Sequence, residues 1–331
     1  MEKYRMKTAS PEDNFSSRLA DILPDKAILA ISTYRSGRIL FARVDSGNEI
    51  KWLVLKREIP SGIAFDDKSL SIATVDEIET YSHEDIHYHF NSSKAKSGTE
   101  LFTYFDTIPR KSYKTGKVLC HEIYRSCPES IYFISTRYSA IGSLYREHIT
   151  PCFWKPPFIT EFIGEDLCHM NGLGVSNGQP EVVSCLAGTN FTRGWRLFPA
   201  NSGLLINIKT NKIICSNLTL PHSPRMVGES IYFLQSGLSC LSVLDTNTCD
   251  LQSITELPGF ARGLAIIGKY AIIGISIIRN SNLWESLPVK VKYPNSIQSI
   301  LIVDLVKGVI ISTLVLPDEF YEIFDIQIIK T

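Results

Sequence analysis

The sequence lacks an excess of charge of either sign, because 34 Lys and Arg residues balance 34 Asp and Glu residues. Proteins that bind nucleic acid or anionic membranes usually carry a basic excess, so we expect neither partner. It also lacks an apolar run near the roughly 20 residues that cross a bilayer. Its first residues have neither the apolar segment nor the small-residue cleavage site of a secretion signal. These absences predict a cytoplasmic protein.

Several chemical motifs are also missing. No two of the eight cysteines have the CxxC spacing, so they indicate scattered thiols of a reducing compartment rather than a disulfide framework. The sequence has no phosphate-binding Walker loop, no GxGxxG turn after a strand, no HExxH helix and no GxSxG elbow. Common nucleotide-binding, zinc-protease and serine-hydrolase chemistries are therefore not indicated.

What the sequence does contain is a repeated segment in which a polar residue opens a short apolar strand. A second apolar run follows about nine residues after each opening, as in Ile131–Ile134 and Ile231–Leu234. Short strands that recur at a period of roughly 40 to 60 residues are typical of a β-propeller. The five openings are Ser61, His121, Asn171, His222 and Arg262.

These five repeats would form blades two to six of a propeller. Residues 26–55 supply three strands with no inner strand before them, and the C-terminal run Tyr321–Ile329 is a strand with nothing after it. Pairing the two would close the ring and remove exposed edges. We therefore predict an all-β, closed six-bladed propeller at residues 27–331, with the C-terminal strand closing the first blade.

Two parts of the chain fall outside this repeat. Residues 1–26 form a polar extension in which Ser10–Asp13 could start an amphipathic helix through Phe15, Leu19 and Ile22. Residues 81–118 are interpreted as an insertion, and a seventh, divergent blade is the alternative. Residues 188–202 and 280–295 are further insertions, and their Trp and Arg content favours a functional role.

The polar openings predict one shared site. The innermost strands of a propeller line the central tunnel, so the opening residues would lie at one mouth, with His169 on the same strand face as Asn171. We predict His121, Glu122 and His222 as catalytic residues. Neutral imidazole also binds divalent transition metals, which makes His121, His169 and His222 candidate metal ligands. A satisfied core histidine is the alternative for each ring.

Arginines near the same openings predict the ligand. A buried guanidinium is costly unless it is paired, and few carboxylates lie near these motifs, namely Glu122, Glu165 and Asp166. This imbalance indicates a small carboxylate, phosphate or sulfate ligand bound by the arginines. The alternative is that the arginines connect blades through backbone carbonyls. The predicted substrate-binding residues are Arg137, Asn171, Trp195, Arg196, Arg225, Arg262 and Arg279.

Three motifs carry a resemblance to a known family. They are Cys168–Gly172 (CHxNG), Pro221–Arg225 (PHSPR) and Pro258–Leu264 (PGFxRGL). Together they resemble an uncharacterised bacterial family of conserved hypothetical proteins, which is sometimes fused to helical-repeat segments. The resemblance spans roughly residues 27–300 and implies a propeller, but it implies no particular chemistry.

Two functions from different classes follow. The first is an enzyme of the lyase, isomerase, cyclase or hydrolase type that acts on a small anionic substrate in a funnel of Arg and His side chains. The second is a non-catalytic propeller that binds a protein or peptide. The opening residues differ chemically from blade to blade, which favours the enzyme.

Overall fold

Six β-sheets form the ring of a closed propeller in the computed structural model, which describes residues 15–45, 47, 49–92, 102–279 and 281–330. Five sheets have four strands each, and the first has five. Four of the five predicted openings lie in an innermost strand of blades three to six, and Ser61 lies two residues before the innermost strand of blade 2. The prediction of an all-β propeller with six blades is confirmed.

The strands follow the chain order from blade to blade. Blades 1 and 2 contain β1 (Ile28–Thr33), β2 (Arg38–Val44), β3 (Ile50–Lys56), β4 (Ile63–Phe65), β5 (Ser69–Ala73), β6 (Glu77–Ser82), β7 (Phe102–Phe105) and β8 (Lys111–Lys114). Blades 3 and 4 contain β9 (Cys120–Cys127), β10 (Ser130–Ser135), β11 (Ala140–Tyr145), β12 (His148–Trp154), β13 (Met170–Ser176), β14 (Gln179–Cys185), β15 (Gly203–Asn207) and β16 (Lys212–Leu218). Blades 5 and 6 contain β17 (Pro221–Val227), β18 (Ser230–Gln235), β19 (Cys240–Asp245), β20 (Leu251–Glu256), β21 (Phe260–Ile267), β22 (Tyr270–Ser276), β23 (Ser299–Asp304) and β24 (Val309–Val315).

The last strand, β25 (Ile323–Ile329), closes the ring. It pairs antiparallel with β1, with Ile329 opposite Ile28 and Asp325 opposite Ser32. This pairing makes β25 the innermost strand of blade 1, so the first and last strands share one sheet. The predicted closure by the C-terminal strand is confirmed.

Helical segments are few among the described residues: α1 (Phe15–Ile22), α2 (His83–Ser92), α3 (Pro288–Lys292) and 3-10 turns at Gly194–Leu197 and Asp318–Phe320. Helix α1 buries Phe15 and Leu19 against a core cluster that includes Trp52 and Phe320. The predicted helix start at Ser10–Asp13 lies outside the described residues. In the described part of the chain, every helix is too short or too polar to cross a membrane.

Residues 81–118 contribute to two existing blades. Helix α2 follows β6, β7 then pairs in parallel with β3 as the fifth strand of blade 1, and β8 pairs with β6 as the outer strand of blade 2. The described residues of this segment add no seventh sheet. The described residues 83–92 and 102–110 are therefore inserted between β6 and β8, whereas β8, which lies within the predicted insertion, is a strand of blade 2.

The core lies between neighbouring blades. Strand β1 is buried along its whole length because blades cover both of its faces. In blade 3, Phe133 lies opposite Gly142, and a Cβ on that glycine would come 2.2 Å from the phenyl ring. Glycine is therefore required there so that the aromatic ring can fill the space.

Buried hydroxyl groups connect consecutive blades at equivalent positions. Each lies at or just after the end of the second strand from the axis and donates to a backbone carbonyl at the innermost strand of the next blade. The donors and acceptors are Ser32 and Ser61, Thr136 and Met170, Ser236 and Ala261, and Ser276 and Ile323. These bonds hold the blades in register around the site.

Candidate functional site

Three histidines from three blades come together at the mouth where the innermost strands begin. The ring centroid of His121 lies 5.8 Å from that of His169 and 5.9 Å from that of His222. His121 and His222 lie at the starts of β9 and β17. His169 immediately precedes β13 in a left-handed conformation, φ 51°, rather than in the strand as predicted.

Arg262 from blade 6 joins this group. Its Nη2 lies 2.8 Å from Nε2 of His121 and 3.3 Å from Nε2 of His222. Nδ1 of His222 lies 2.9 Å from the carbonyl oxygen of Leu220, which can only accept a hydrogen bond. The proton of His222 is therefore on Nδ1, and both Nε2 atoms accept from the guanidinium. Two neutral imidazoles contact one cation.

Burial controls the charge states of this group. Burial, and after it the positive charge of Arg262, lowers the pKa of His121 and of His222 well below 6.5. Burial and Arg279 together lower the pKa of Arg262 to about 10, against the opposing effect of Glu322. The arginine remains charged at neutral pH, whereas both imidazoles remain neutral.

The guanidinium of Arg262 has few hydrogen-bond partners and no paired carboxylate among the described residues. The residue is 9% exposed, and its Nε is buried without a hydrogen-bond partner. Its Cζ lies 4.3 Å from the ring centroid of Phe324. Within the described ranges, no carboxylate forms an ion pair with it. The site thus contains a buried cation that pairs directly with no carboxylate of the described residues, while Glu322 acts on it from a longer distance.

The geometry does not support the predicted metal site. Nε2 of His121 and of His222 point at the guanidinium of Arg262, so a cation already occupies the position between them. The Nδ1 of His169 is directed to Asp166 instead. Across the described residues, no group of three His, Cys, Asp or Glu side chains has an arrangement that could hold a metal ion.

Glu122 and Arg225 are engaged with each other rather than with an open site. Arg225 Nη1 donates to Glu122, and its Nη2 lies 3.2 Å from Oδ1 of Asp325. The backbone N–H groups of Leu173 and Ile63 donate to the two carboxylates at 2.7 Å and 2.9 Å. This group, named the axial triad (Glu122, Arg225 and Asp325), joins blades 3, 5 and 1. Both carboxylates are buried, and the side chain of Arg225 is 17% exposed. Its geometry indicates a structural role for Glu122 and Arg225.

The other predicted arginines do not converge with Arg262. Arg279 donates to the carboxylate of Glu322, at 2.7 Å from its Nε. Arg137 is exposed and donates to the carbonyl oxygen of Gly164 at 3.2 Å. Arg196 is exposed and lies over the ring of its neighbour Trp195. Of the arginines predicted to share one funnel, Arg262 lies beside the histidines. Arg279 is near enough to lower the pKa of Arg262.

Asn171 lies in the interior of the ring. Its Oδ1 accepts a hydrogen bond of 2.6 Å from the Ser184 hydroxyl, and its Nδ2 is buried without a partner. Asn171 is 2% exposed, and a Cβ on Gly172, which follows it, would meet a side-chain atom of Pro224 at 2.3 Å. The close approach of Gly172 to Pro224 brings blades 4 and 5 together directly beside Asn171.

His169 forms a carboxylate–imidazole pair. Its Nδ1 lies 2.9 Å from Oδ2 of Asp166, and Nε1 of Trp195 donates to the same oxygen at 3.0 Å. Asp166 and His169 both adopt a φ of 51°. Left-handed conformations are uncommon outside glycine, although Asp and His tolerate them better than most residues. The two left-handed residues turn the chain so that both side chains meet.

Aromatic side chains from the two predicted insertions form one wall of the site. The ring centroid of Trp195 lies 4.3 Å from His169 and 6.4 Å from Trp284. Phe260 lies 6.3 Å from Trp284 and 5.9 Å from His222. Both insertions therefore reach the mouth, although residue 280, where the second was predicted to begin, lies outside the described residues.

The sequence-based reasoning missed three residues of the C-terminal strand region. Asp325 completes the axial triad, Glu322 pairs with Arg279, and Phe324 lies under the guanidinium of Arg262. The sequence could have indicated these residues, because the C-terminal strand was predicted to be an innermost strand and such a strand brings its own side chains to the axis. The carboxylates of Glu322 and Asp325 neutralise two of the arginines that had been assigned to a ligand.

Fold and site together define a six-bladed β-propeller with a buried arginine where the innermost strands begin, and that arginine pairs with no carboxylate of the described residues. The chain belongs to the family described as a domain of unknown function (DUF4915), whose model matches residues 17–331. The expectation of an uncharacterised propeller family is confirmed at this level. No curated protein matches the chain.

Two solved structures are among those with similar folds. A crystal structure of a nidogen–laminin complex aligns over 92% of this chain and 98% of that chain, with 14% identity and a TM-score of 0.57. This likeness shows the propeller fold. A selenomethionine-substituted virginiamycin B lyase from Staphylococcus aureus aligns over 73% of this chain and 75% of that chain, with 13% identity and a TM-score of 0.43.

The depressed pKa of His222 predicts a pH-dependent stability. The fold favours the neutral ring, so its stabilising contribution is present above about pH 6.5 and is lost as the pH falls toward the lower pKa of the folded state. In this range one histidine changes the free energy of unfolding by as much as about 1.4 kcal/mol per pH unit. His222→Asn should flatten the wild-type curve by up to that slope.

Urea unfolding between about pH 6.5 and pH 5 measures this difference. The exposed His148 on β12 provides the matched control, because His148→Asn should leave the curve unchanged. Parallel curves for wild type and His222→Asn would show that His222 is not held neutral by the fold.

Proposed function

We propose that this propeller is an enzyme that binds a small anionic substrate at the mouth of the tunnel. In this proposal Arg262 binds the anion, and the His169–Asp166 pair transfers a proton. The observation that carries the proposal is the buried guanidinium of Arg262, which contacts two neutral imidazoles and, among the described residues, no carboxylate. The proposed site lies where blades 3 to 6 and the two insertions meet.

Electrostatics supports an anionic ligand. Removing a charged group from water without a counterion is unfavourable by several kcal/mol, so buried charges in proteins are normally paired. A guanidinium binds carboxylate or phosphate through charge-assisted hydrogen bonds, and the Nε of Arg262 has none. Neutral His121 and His222 accept from Arg262 without cancelling its charge. An anion would supply the missing counterion.

The His169–Asp166 pair supports proton transfer. A carboxylate at Nδ1 holds the proton on that nitrogen and leaves Nε2 as the base, an arrangement that recurs in general acid–base catalysis. Arg262 would stabilise negative charge that develops on the substrate after proton removal. Lyase, isomerase, cyclase and hydrolase reactions all use these two functions, and none of them requires an organic cofactor.

Removal of Arg262 is expected to abolish most anion binding. Arg262→Ala should weaken the affinity by about 1.5 to 3 kcal/mol, which corresponds to about ten- to a hundredfold. Arg262→Lys should recover little, because a point charge cannot replace the planar fork. Isothermal titration with carboxylates, sugar acids and phosphates measures the affinities, and Arg137→Ala on the exposed surface is the control.

Equal affinities in wild type and Arg262→Ala would contradict the anion site, as would a wild type that binds none of these anions. The second result would favour a different function, namely a scaffold that binds a protein at the same mouth. Exposed apolar side chains on the two insertions favour this alternative, among them Leu197 and Val291, which are 70% and 72% exposed.

A further inference from the structure

We infer that the anionic substrate carries an aromatic ring, so that its class is a small aromatic carboxylate. This inference rests on the proposed function, because it assumes that Arg262 binds the anion. It adds that the side chains beside Arg262 determine which non-acidic part of the substrate binds. The observation behind it is a closed circuit of aromatic side chains next to the buried guanidinium.

Six rings follow one another around this circuit with centroid separations between 4.3 and 6.4 Å. This is the range in which aromatic pairs attract one another. The rings come from blades 3, 5 and 6 and from the segments before β13, β15 and α3, so only the tertiary fold brings them together. In order they are His121, His169, Trp195, Trp284, Phe260 and His222.

The circuit is joined to the cation at two points. Arg262 donates to His121 and His222, which are neighbours in the circuit. Phe324 lies under the guanidinium, and its ring is 4.5 Å from His121 and 4.7 Å from Tyr34, which stacks on it. A ligand whose carboxylate contacts Arg262 therefore has its remaining atoms among aromatic faces and edges.

The chemistry of these walls favours an aromatic ligand over other ligand classes. A cationic ligand, which aromatic cages otherwise attract, would be repelled by Arg262 and Arg279. A sugar acid needs several hydrogen-bond partners for its hydroxyl groups, and two polar groups of the circuit are already engaged, because the indole N–H of Trp195 donates to Asp166 and Nδ1 of His222 donates to Leu220. An aromatic ring needs no such partners and gains from stacked and edge contacts.

The experiment compares ligands that differ in one property at a time, by isothermal titration on the full chain. Benzoate is expected to bind more tightly than cyclohexanecarboxylate by about two- to tenfold, because only benzoate has aromatic faces. Benzoate should exceed the uncharged benzamide by about tenfold or more, because the amide lacks the charge. Acetate and inorganic phosphate should bind more weakly than benzoate.

Two variants test whether Arg262 and Trp284 cause these ligand preferences. Arg262→Met keeps much of the side-chain volume and should remove the preference for benzoate over benzamide. Trp284→Leu should weaken benzoate by about two- to tenfold and leave acetate unchanged. Trp154→Leu is the matched control, since Trp154 lies on the outer strand β12 and donates to Asn211. Circular dichroism of each variant confirms that the fold is retained.

The outcomes separate this inference from the proposed function. Anions that bind in an Arg262-dependent manner but without any preference for benzoate would overturn the aromatic class and leave the anion site intact. Benzamide that binds as tightly as benzoate would overturn both. An unchanged benzoate affinity in folded Trp284→Leu would also overturn the aromatic class.

Discussion

Deletion of residues 320–331 is expected to abolish cooperative folding. The deletion removes β25, the innermost strand of blade 1, and exposes the edge of β1 along its length. It also removes buried Ile323, Ile326 and Ile328 from the core. At about 1.5 to 3 kcal/mol for each large apolar side chain, the buried residues of β25 contribute on the order of 10 kcal/mol, which is comparable to the stability of a whole domain.

Thermal unfolding followed by near-ultraviolet circular dichroism measures this effect. A permutant that starts at residue 317 and joins Thr331 to Met1 through a flexible linker is the control, because it retains every strand in a different chain order. The permutant should fold cooperatively while the deletion variant does not. A deletion variant that melts cooperatively at the wild-type temperature would show that β25 is dispensable.

Replacement of Arg225 by Met is expected to destabilise the protein by about 3 to 5 kcal/mol, because it leaves two buried carboxylates without their counterion. Glu122 and Asp325 are 5% and 3% exposed, and both contact Arg225. The axial triad joins three blades, so its loss affects the ring as a whole. Urea unfolding of wild type and variant at the same pH measures the difference.

The variant's stability should recover partly at low pH. Burial raises the pKa of Glu122 to about 7, with Arg225 acting in the opposite direction, so the pKa rises further once Arg225 is removed. A carboxyl group with a raised pKa in the folded state stabilises the fold increasingly as the pH falls below that pKa. The penalty of Arg225→Met should therefore be smaller near pH 5 than near pH 8.

A triple variant provides the control for the triad. Glu122→Gln, Arg225→Met and Asp325→Asn together remove all three charges, and most of the lost stability should return because no unpaired charge is left buried. A triple variant as unstable as Arg225→Met alone would indicate that packing, rather than the charge balance, determines the effect. A penalty that does not change with pH would contradict the raised pKa of the carboxyl groups.

Local patterns were sufficient to predict the architecture. A strand places alternate side chains on opposite faces, so each blade leaves a short signature of apolar runs and turns that needs no information from elsewhere in the chain. The unmatched strand Tyr321–Ile329 also predicted the ring closure, because an innermost strand was missing from blade 1. The convergence of His121 and His222 followed in the same way, since equivalent positions of repeated blades lie around one axis.

The partners of the charged residues could not be predicted in this way. Arg225 and Glu122 are 103 residues apart in the chain, and Arg262 and His121 are 141 apart. Both arginines lie on innermost strands, but one meets two carboxylates and the other meets two imidazoles. That difference depends on the side-chain directions of opposing blades across the tunnel, and no spacing in the sequence records it.

The amino-acid sequence by itself determined the six blades, their order, the closing strand and the convergence of His121 and His222, because each depends on short-range alternation and on repetition. Only the tertiary structure decided which charges neutralise one another. It assigned Glu122 and Asp325 to Arg225 and Glu322 to Arg279, and it left Arg262 with neutral partners. Electrostatic pairing acts over a few ångströms in space, and residues from distant parts of the chain become neighbours only when the ring closes.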